Sequence, residues 1–173
     1  MIELIAKTLK VLNSETDPGQ ISLAFCLAMV MALTPLFSAH NLLVLFAVLV
    51  LRVNLAMFNV VWIALSALAY ALDPLFHRIG LAVLTADGLT PLWTTLYNTA
   101  WFRPARLNNT VVMGSLLVSL AAFIPAFFIV RILVVKYRER WLVWVQKTRL
   151  MKLFKASKVY AAYQTLTGFG GAA

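Results

Sequence analysis

The sequence predicts an all-α, polytopic membrane protein with short or re-entrant helices, interfacial amphipathic helices and a basic C-terminal helix. Three observations predict it. Apolar residues make up 62% of the 173 residues and charged residues only 12%, against about 45–50% and about 25% in an average soluble domain. Residues 111–130 contain no charge, and a run of about 20 such residues matches a hydrocarbon core of about 30 Å. Nine of the 15 Lys and Arg then follow from Arg131 to Lys158, where Glu139 is the only acid. A soluble chain of this length has too little polar surface to cover its apolar side chains, whereas lipid solvates them.

The chain reads as a single membrane domain made of consecutive helical pieces. Residues 1–12 fit an interfacial amphipathic helix, with Glu3, Lys7 and Lys10 on one stripe and Ile2, Leu4, Ile5, Leu9, Val11 and Leu12 opposite. Asp17-Pro18 marks a helix start, an N-cap carboxylate followed by proline at the first helical position. The first apolar helix then covers residues 19–33 and stops at Thr34-Pro35. A second covers 38–51 and stops at Arg52-Val53-Asn54. Each is about 15 residues, roughly 22 Å of helix, short of a straight crossing. A re-entrant hairpin with its tip near Pro35 therefore stands beside two full spans. Thr34, Ser38, His40 and Asn41 are placed to satisfy backbone groups freed at that tip.

A third apolar segment, residues 55–72, is long enough to span. Asp73-Pro74 is expected to end it and to cap a short amphipathic piece over 75–84, which closes a helical core at 19–85. Thr90-Pro91 opens an interfacial helix over 90–102, with Leu92, Trp93, Leu96, Tyr97, Ala100 and Trp101 on its apolar face. Residues 110–131 form the transmembrane helix best matched to a bilayer, with Pro125 inside it. Ser115, Ser119, Ala122 and Ala126, like Ala24, Ala28 and Ala32 on the first helix, form small-residue stripes that allow close helix packing. A basic helix over 132–165 follows.

The charge distribution sets the expected orientation. The basic end lies in the cytoplasm, the last span enters from outside, and the third segment crosses outward. Both termini are then cytoplasmic, with Arg52 near the inner face and Arg78, Arg103 and Arg106 on the outer side. In a rival layout, residues 55–86 form a second hairpin and Arg52 pairs with Asp73.

Function classes narrow by chemistry. Arg131, Lys136, Arg138, Arg140, Lys147, Lys152, Lys155 and Lys158 follow directly on a membrane-length segment, so they are expected to contact anionic lipid and not nucleic acid. The chain has no phosphate-cradling glycine loop, no HExxH and no CxxC. No catalytic residue, metal ligand or cofactor is therefore expected. Cys26, the single cysteine, reads as a small buried apolar residue. Six polar residues within or beside apolar segments are costly to bury unless paired or wet: His40, Asn41, Arg52, Asn54, Asn59 and Asp73. They are placed to line a polar cleft for a lipid headgroup, with Arg52 as the phosphate contact. The alternative is that the three Asn hydrogen-bond neighbouring helices and Arg52 snorkels to the interface.

The succession Thr34-Pro35, His40-Asn41, Arg52-Val53-Asn54, Asp73-Pro74 and Ile79-Gly80 resembles the bacterial membrane family known as domain of unknown function 2062. The resemblance covers residues 18–85. The family usually carries Asn where this chain has Asp73. The remainder resembles inner-membrane proteins encoded beside a larger envelope protein. The resemblance implies a bacterial inner-membrane protein; that it is not an enzyme is expected from the missing catalytic motifs. The resemblance also implies a larger envelope partner; a homo-oligomer is the alternative. Family members joined to glycosyltransferase domains imply lipid-linked envelope substrates. The expected role is handling envelope lipids or supporting their transport. The alternatives are an anchoring subunit with no substrate of its own and, behind it, a channel or transporter.

Overall fold

The computed structural model describes residues 17–100 and 102–141. The expectations for residues 1–12, Trp101, Lys147, Lys152, Lys155 and Lys158 lie outside these, as do the contacts of the Arg140 side chain. The described residues form five α-helices and no strand: α1 (Pro18–Leu33), α2 (Ala39–Val50), α3 (Leu55–Leu84), α4 (Thr90–Asn98) and α5 (Thr110–Lys136). Short 3₁₀ turns occupy Asp87–Leu89 and Arg103–Ala105, and a π-helical turn covers Tyr137–Trp141. The chain divides into two compact units at residues 132 and 133. In the second, the described part is the last turn of α5 and the π turn.

Helix α1 begins and ends where local chemistry dictates. The Asp17 carboxylate accepts the Gly19 N–H, and Pro18 supplies the first helical residue. At the far end Thr34 is extended, and Pro35 has no N–H to continue the ladder. Between them α1 is the central helix of the first unit. Ile21, Ala24, Cys26 and Ala28 have no exposed surface. Ala24, Ala28 and Ala32, the expected small-residue stripe, are all buried, and α1 packs on α3. Cys26 is the buried apolar residue expected, and its Sγ donates to Phe123 O at 3.4 Å. Met29, Leu33 and Phe76 form a cluster packed by Phe25, Leu65, Ala69, Leu72, Val111, Val118, Ala122 and Ala126. Three helices thus share one core.

Helix α2 buries only Asn41, Val44 and Val48, while Leu42, Leu43, Phe46 and Leu49 are 65–82% exposed. It lies against α1 and against the Arg103–Ala105 turn.

Helix α3 corrects the sequence reading. Asp73-Pro74 does not end it, and 30 residues run without interruption from Leu55 to Leu84. Proline removes one backbone bond, but Ala69, Leu72 and Phe76 pack in the core on both sides of it. That burial outweighs the local loss. The rival second hairpin is thereby excluded. Asp73 stands 18 residues beyond Leu55 on one continuous helix, about 27 Å along the axis, too far from Arg52 to pair.

One further boundary differs. Helix α4 stops at Asn98 instead of reaching residue 102, and Thr90 lies inside it without capping, because a 3₁₀ turn at Asp87–Leu89 already feeds the helix. Helix α5, by contrast, begins at Thr110 as expected, carries Pro125 inside it and continues past Arg131 to Lys136. A basic extension over 132–165 requires that continuation, although residues 142–165 lie outside the described ones. Its cap is Asn109, whose Oδ1 accepts from Val111 N at 2.9 Å and Val112 N at 3.2 Å.

Helices α3 and α5 run antiparallel and touch backbone to backbone. A Cβ on Gly80 would lie 1.8 Å from Thr110 O, and one on Gly114 would lie 1.9 Å from Phe76 O. Farther round α5 from Gly114, the Ser115 and Ser119 hydroxyls are fully buried and bond back to Val112 O and Leu116 O. Both α3 and the stretch Thr110–Glu139 are long and apolar enough to cross a membrane. Only 17% of the most apolar window of the first and 11% of that of the second is buried.

Candidate functional site

The six polar residues singled out in the sequence occupy different places and do not converge. Asn41 is 2% exposed and closes the hairpin between α1 and α2. Its Nδ2 donates to Pro35 O at 3.0 Å and to Leu36 O at 3.2 Å. Its Oδ1 faces the Thr34 hydroxyl at 3.0 Å, whose single proton is shared with Val30 O at 2.8 Å. Ser38 Oγ adds a bond to Pro35 O at 2.7 Å. Carbonyls that a chain reversal frees are therefore satisfied by side chains from the same turn.

The other two asparagines serve helix α3. Asn54 Oδ1 accepts the Met57 N–H at 2.9 Å, an N-cap. Asn59 Nδ2 donates to Leu55 O at 2.8 Å, one turn back on the same helix. Arg52 is exposed in the short link between α2 and α3, and Asp73 is half-buried on α3. Two polar groups of the six are buried without a partner among the described residues: Nδ1 and Nε2 of His40. His77, left aside in the sequence, bonds Thr110 Oγ1 through Nδ1 at 2.7 Å and so ties α3 to the first residue of α5. Among the described residues no group of His, Cys, Asp and Glu is placed to hold a metal ion.

A second polar feature lies where α4 hands over to α5, and sequence reading missed it. An open cleft of about 620 Å³ is lined by Tyr97, Arg103, Arg106, Asn108 and Asn109. Arg103 Nε donates to Tyr97 O at 3.0 Å. The Tyr97 hydroxyl accepts the Asn108 N–H, which pins the loop to α4. Arg106 has a left-handed backbone, φ 50°, an uncommon conformation for a residue with a Cβ. Trp93 Nε1 anchors α4 to the end of α3 through Val83 O at 3.2 Å. A signal was present in the sequence: two arginines flank Pro104-Ala105 and an Asn pair follows after Leu107, all between an amphipathic helix and a long apolar one.

Comparison with known proteins agrees with the motifs. No solved structure matches the chain. An uncharacterized protein of Treponema pallidum (strain Nichols) is 24% identical over 138 residues, which is 80% of this chain and 85% of that protein. A family model described as an uncharacterized protein conserved in bacteria matches residues 4–142, well beyond the stretch 18–85 that carries the motifs. With Thr34-Pro35, Asn41, Asn54 and Gly80 each given a structural role inside that range, the chain belongs to the DUF2062 family.

Proposed function

We propose that this chain is a multi-pass protein of the bacterial inner membrane that is not an enzyme. It handles envelope lipids, or supports their transport, together with a larger envelope partner. The observation that carries the reading is the exposure of its most apolar helices. A core helix of a soluble protein has its apolar window buried by neighbours, whereas here 17% and 11% of the two windows are buried. Leaving that surface in water would cost about 25 cal/mol per Å², and lipid removes the penalty. Helix α2 adds an outward face of Leu42, Leu43, Phe46 and Leu49, and Phe37 at the hairpin tip is 90% exposed.

In this reading α1 and α2, about 24 and 18 Å long, enter the membrane and return to the face they left. Helix α3 crosses outward and α5 crosses back, with both termini in the cytoplasm. Helix α4 lies in the outer interface, with Trp93, Leu96 and Tyr97 half-buried beneath it. Arg131, Lys136 and Arg138 meet anionic headgroups at the inner face. Three asparagines are committed to turn, cap and helix, so the group left for a headgroup at the inner interface is the exposed Arg52. His40, both of whose ring nitrogens lack a partner among the described residues, sits at the other end of α2, about 18 Å away, and does not share that contact.

Native mass spectrometry of the protein released from nanodiscs tests the reading. Wild type is expected to retain phospholipid, Arg52→Ala to retain less, and a larger envelope protein to co-purify in mild detergent. Equal lipid retention by wild type and Arg52→Ala would remove Arg52 from the account. A monodisperse protein in detergent-free buffer would overturn the membrane placement itself.

A further inference from the structure

We propose that the cleft lined by Tyr97, Arg103, Arg106, Asn108 and Asn109 is a binding site for a phosphate group that carries a further polar substituent. The site goes beyond the lipid reading above and is independent of Arg52.

The argument begins with charge. No Asp or Glu occurs from residue 88 to residue 138, so the loop supplies no acid of its own to the two guanidinium groups at one cleft. Among the described residues neither is held in an ion pair, and the Arg106 side chain makes no hydrogen bond. Two like charges at one cavity repel, and an anion between them converts that repulsion into attraction.

The hydrogen-bonding inventory has the same sense. Arg103 Nε is spent on Tyr97 O, which holds the guanidinium in place and leaves its terminal N–H groups. Arg106 retains all its donors. Asn109 uses Oδ1 to cap α5, which leaves Nδ2 as a donor. The lining is thus rich in donors, and the carbonyl and hydroxyl of Tyr97 and Oδ1 of Asn109 are already engaged as acceptors. Arginine forks match oxyanions two oxygens at a time. One fork satisfies a carboxylate, whereas two forks suit a phosphate with three or four oxygens.

Volume sets the size of the ligand. The cleft is open and measures about 620 Å³, so a phosphate held at its arginines leaves room beside it for a further substituent. A phosphorylated glycerol or sugar fits that description, whether free or as the headgroup of a lipid. The first turn of α5 opens beside Asn109 and adds its partial positive charge, a smaller contribution than the arginines.

The test uses full-length protein in an uncharged detergent, titrated by calorimetry with inorganic phosphate, glycerol 3-phosphate and dihexanoyl phosphatidic acid. Glycerol 3-phosphate is expected to bind more tightly than phosphate. Arg106→Gln, whose side chain supports nothing in the fold, is expected to weaken binding about tenfold, the loss of one charge-assisted contact. Arg103→Gln/Arg106→Gln is expected to abolish it, and Arg52→Ala to leave it unchanged. Competition between glycerol 3-phosphate and the short lipid identifies a headgroup site. Glycerol 3-phosphate binding without lipid binding identifies a soluble phosphorylated ligand. Absence of all three binding signals, or equal affinity in Arg106→Gln, overturns the proposal.

Discussion

Gly80 on α3 and Gly114 on α5 face each other at a helix crossing so close that neither position has room for a Cβ. The crossing fixes the antiparallel pairing of the two long apolar helices and sets the height at which His77 meets Thr110. It also gives a physical reason for the Ile79-Gly80 pair in the motif series. The glycine is where a carbonyl of the neighbouring helix sits.

Substituting either glycine therefore tests the packing directly. Gly114→Ala and Gly80→Ala are each expected to destabilise by at least about 1–3 kcal/mol, the scale of overpacking in a close-packed interior. The obstructing atoms are backbone, which cannot rotate away. Gly88→Ala, with nothing within 4 Å of its new Cβ, is the matched control. Thermal melting in detergent reads the difference, and three equal melting temperatures would contradict the crossing.

The α1–α2 hairpin makes a second prediction. Asn41→Leu removes the donors to Pro35 O and Leu36 O and the neighbour of the Thr34 hydroxyl. Leaving buried polar groups unpaired costs about 1–3 kcal/mol, so the tip is expected to loosen before the α3–α5 pair does. Hydrogen exchange should rise at residues 34–41 and stay constant across the Gly80–Gly114 crossing. Uniform protection in the variant would show that the turn holds without Asn41.

His40 predicts the opposite sign. Its two ring nitrogens are buried with no partner among the described residues, so His40→Leu is expected to leave melting unchanged or raise it, because a desolvated polar group is replaced by an apolar one of similar size. If His40 takes part in holding a headgroup, the same variant retains less lipid. That is a gain in stability set against a loss of binding. A melting temperature several degrees lower in His40→Leu would mean that the imidazole has a structural partner.

The sequence was most legible where a single short motif decides the outcome. Asp17-Pro18 starts α1 and Thr34-Pro35 ends it, because cap and proline act within one turn. Polar residues at the tip were rightly expected to satisfy the reversal, although His40 does not share in it. Asp73-Pro74 misled for the complementary reason. A local breaker was read correctly as such, but Ala69, Leu72 and Phe76 bury themselves on both sides and carry the helix through. The grouping of six polar residues into one cleft joined positions on different turns of α3 and on the hairpin, which the fold keeps apart. The Gly80–Gly114 crossing was out of reach, since it joins residues 34 positions apart through backbone shape. The arginine cleft was only half legible: Arg103, Arg106 and the Asn pair stand close together in the sequence, but their meeting at one cleft needs the loop after α4 to fold back on Tyr97.

Orientation in the membrane is the prediction on which the placement of both anion contacts depends. In a Cys26→Ser background, where serine can still donate to Phe123 O, single cysteines at positions 52 and 106 are expected to label from opposite faces. Arg52→Cys should react only when the cytoplasmic face is open to a membrane-impermeant maleimide. Arg106→Cys should react in intact spheroplasts, since it lies in the connection between α3 and α5, two helices that run antiparallel and share that end. In the proposed topology Arg78, Arg103 and Arg106 fall on the outer side, a mild breach of the charge rule. A bound phosphate in the cleft would neutralise part of that excess where the membrane potential does not hold it. Labelling of both positions from one face would break the assignment of α3 as an outward crossing. It would place the cleft and Arg52 against the same leaflet.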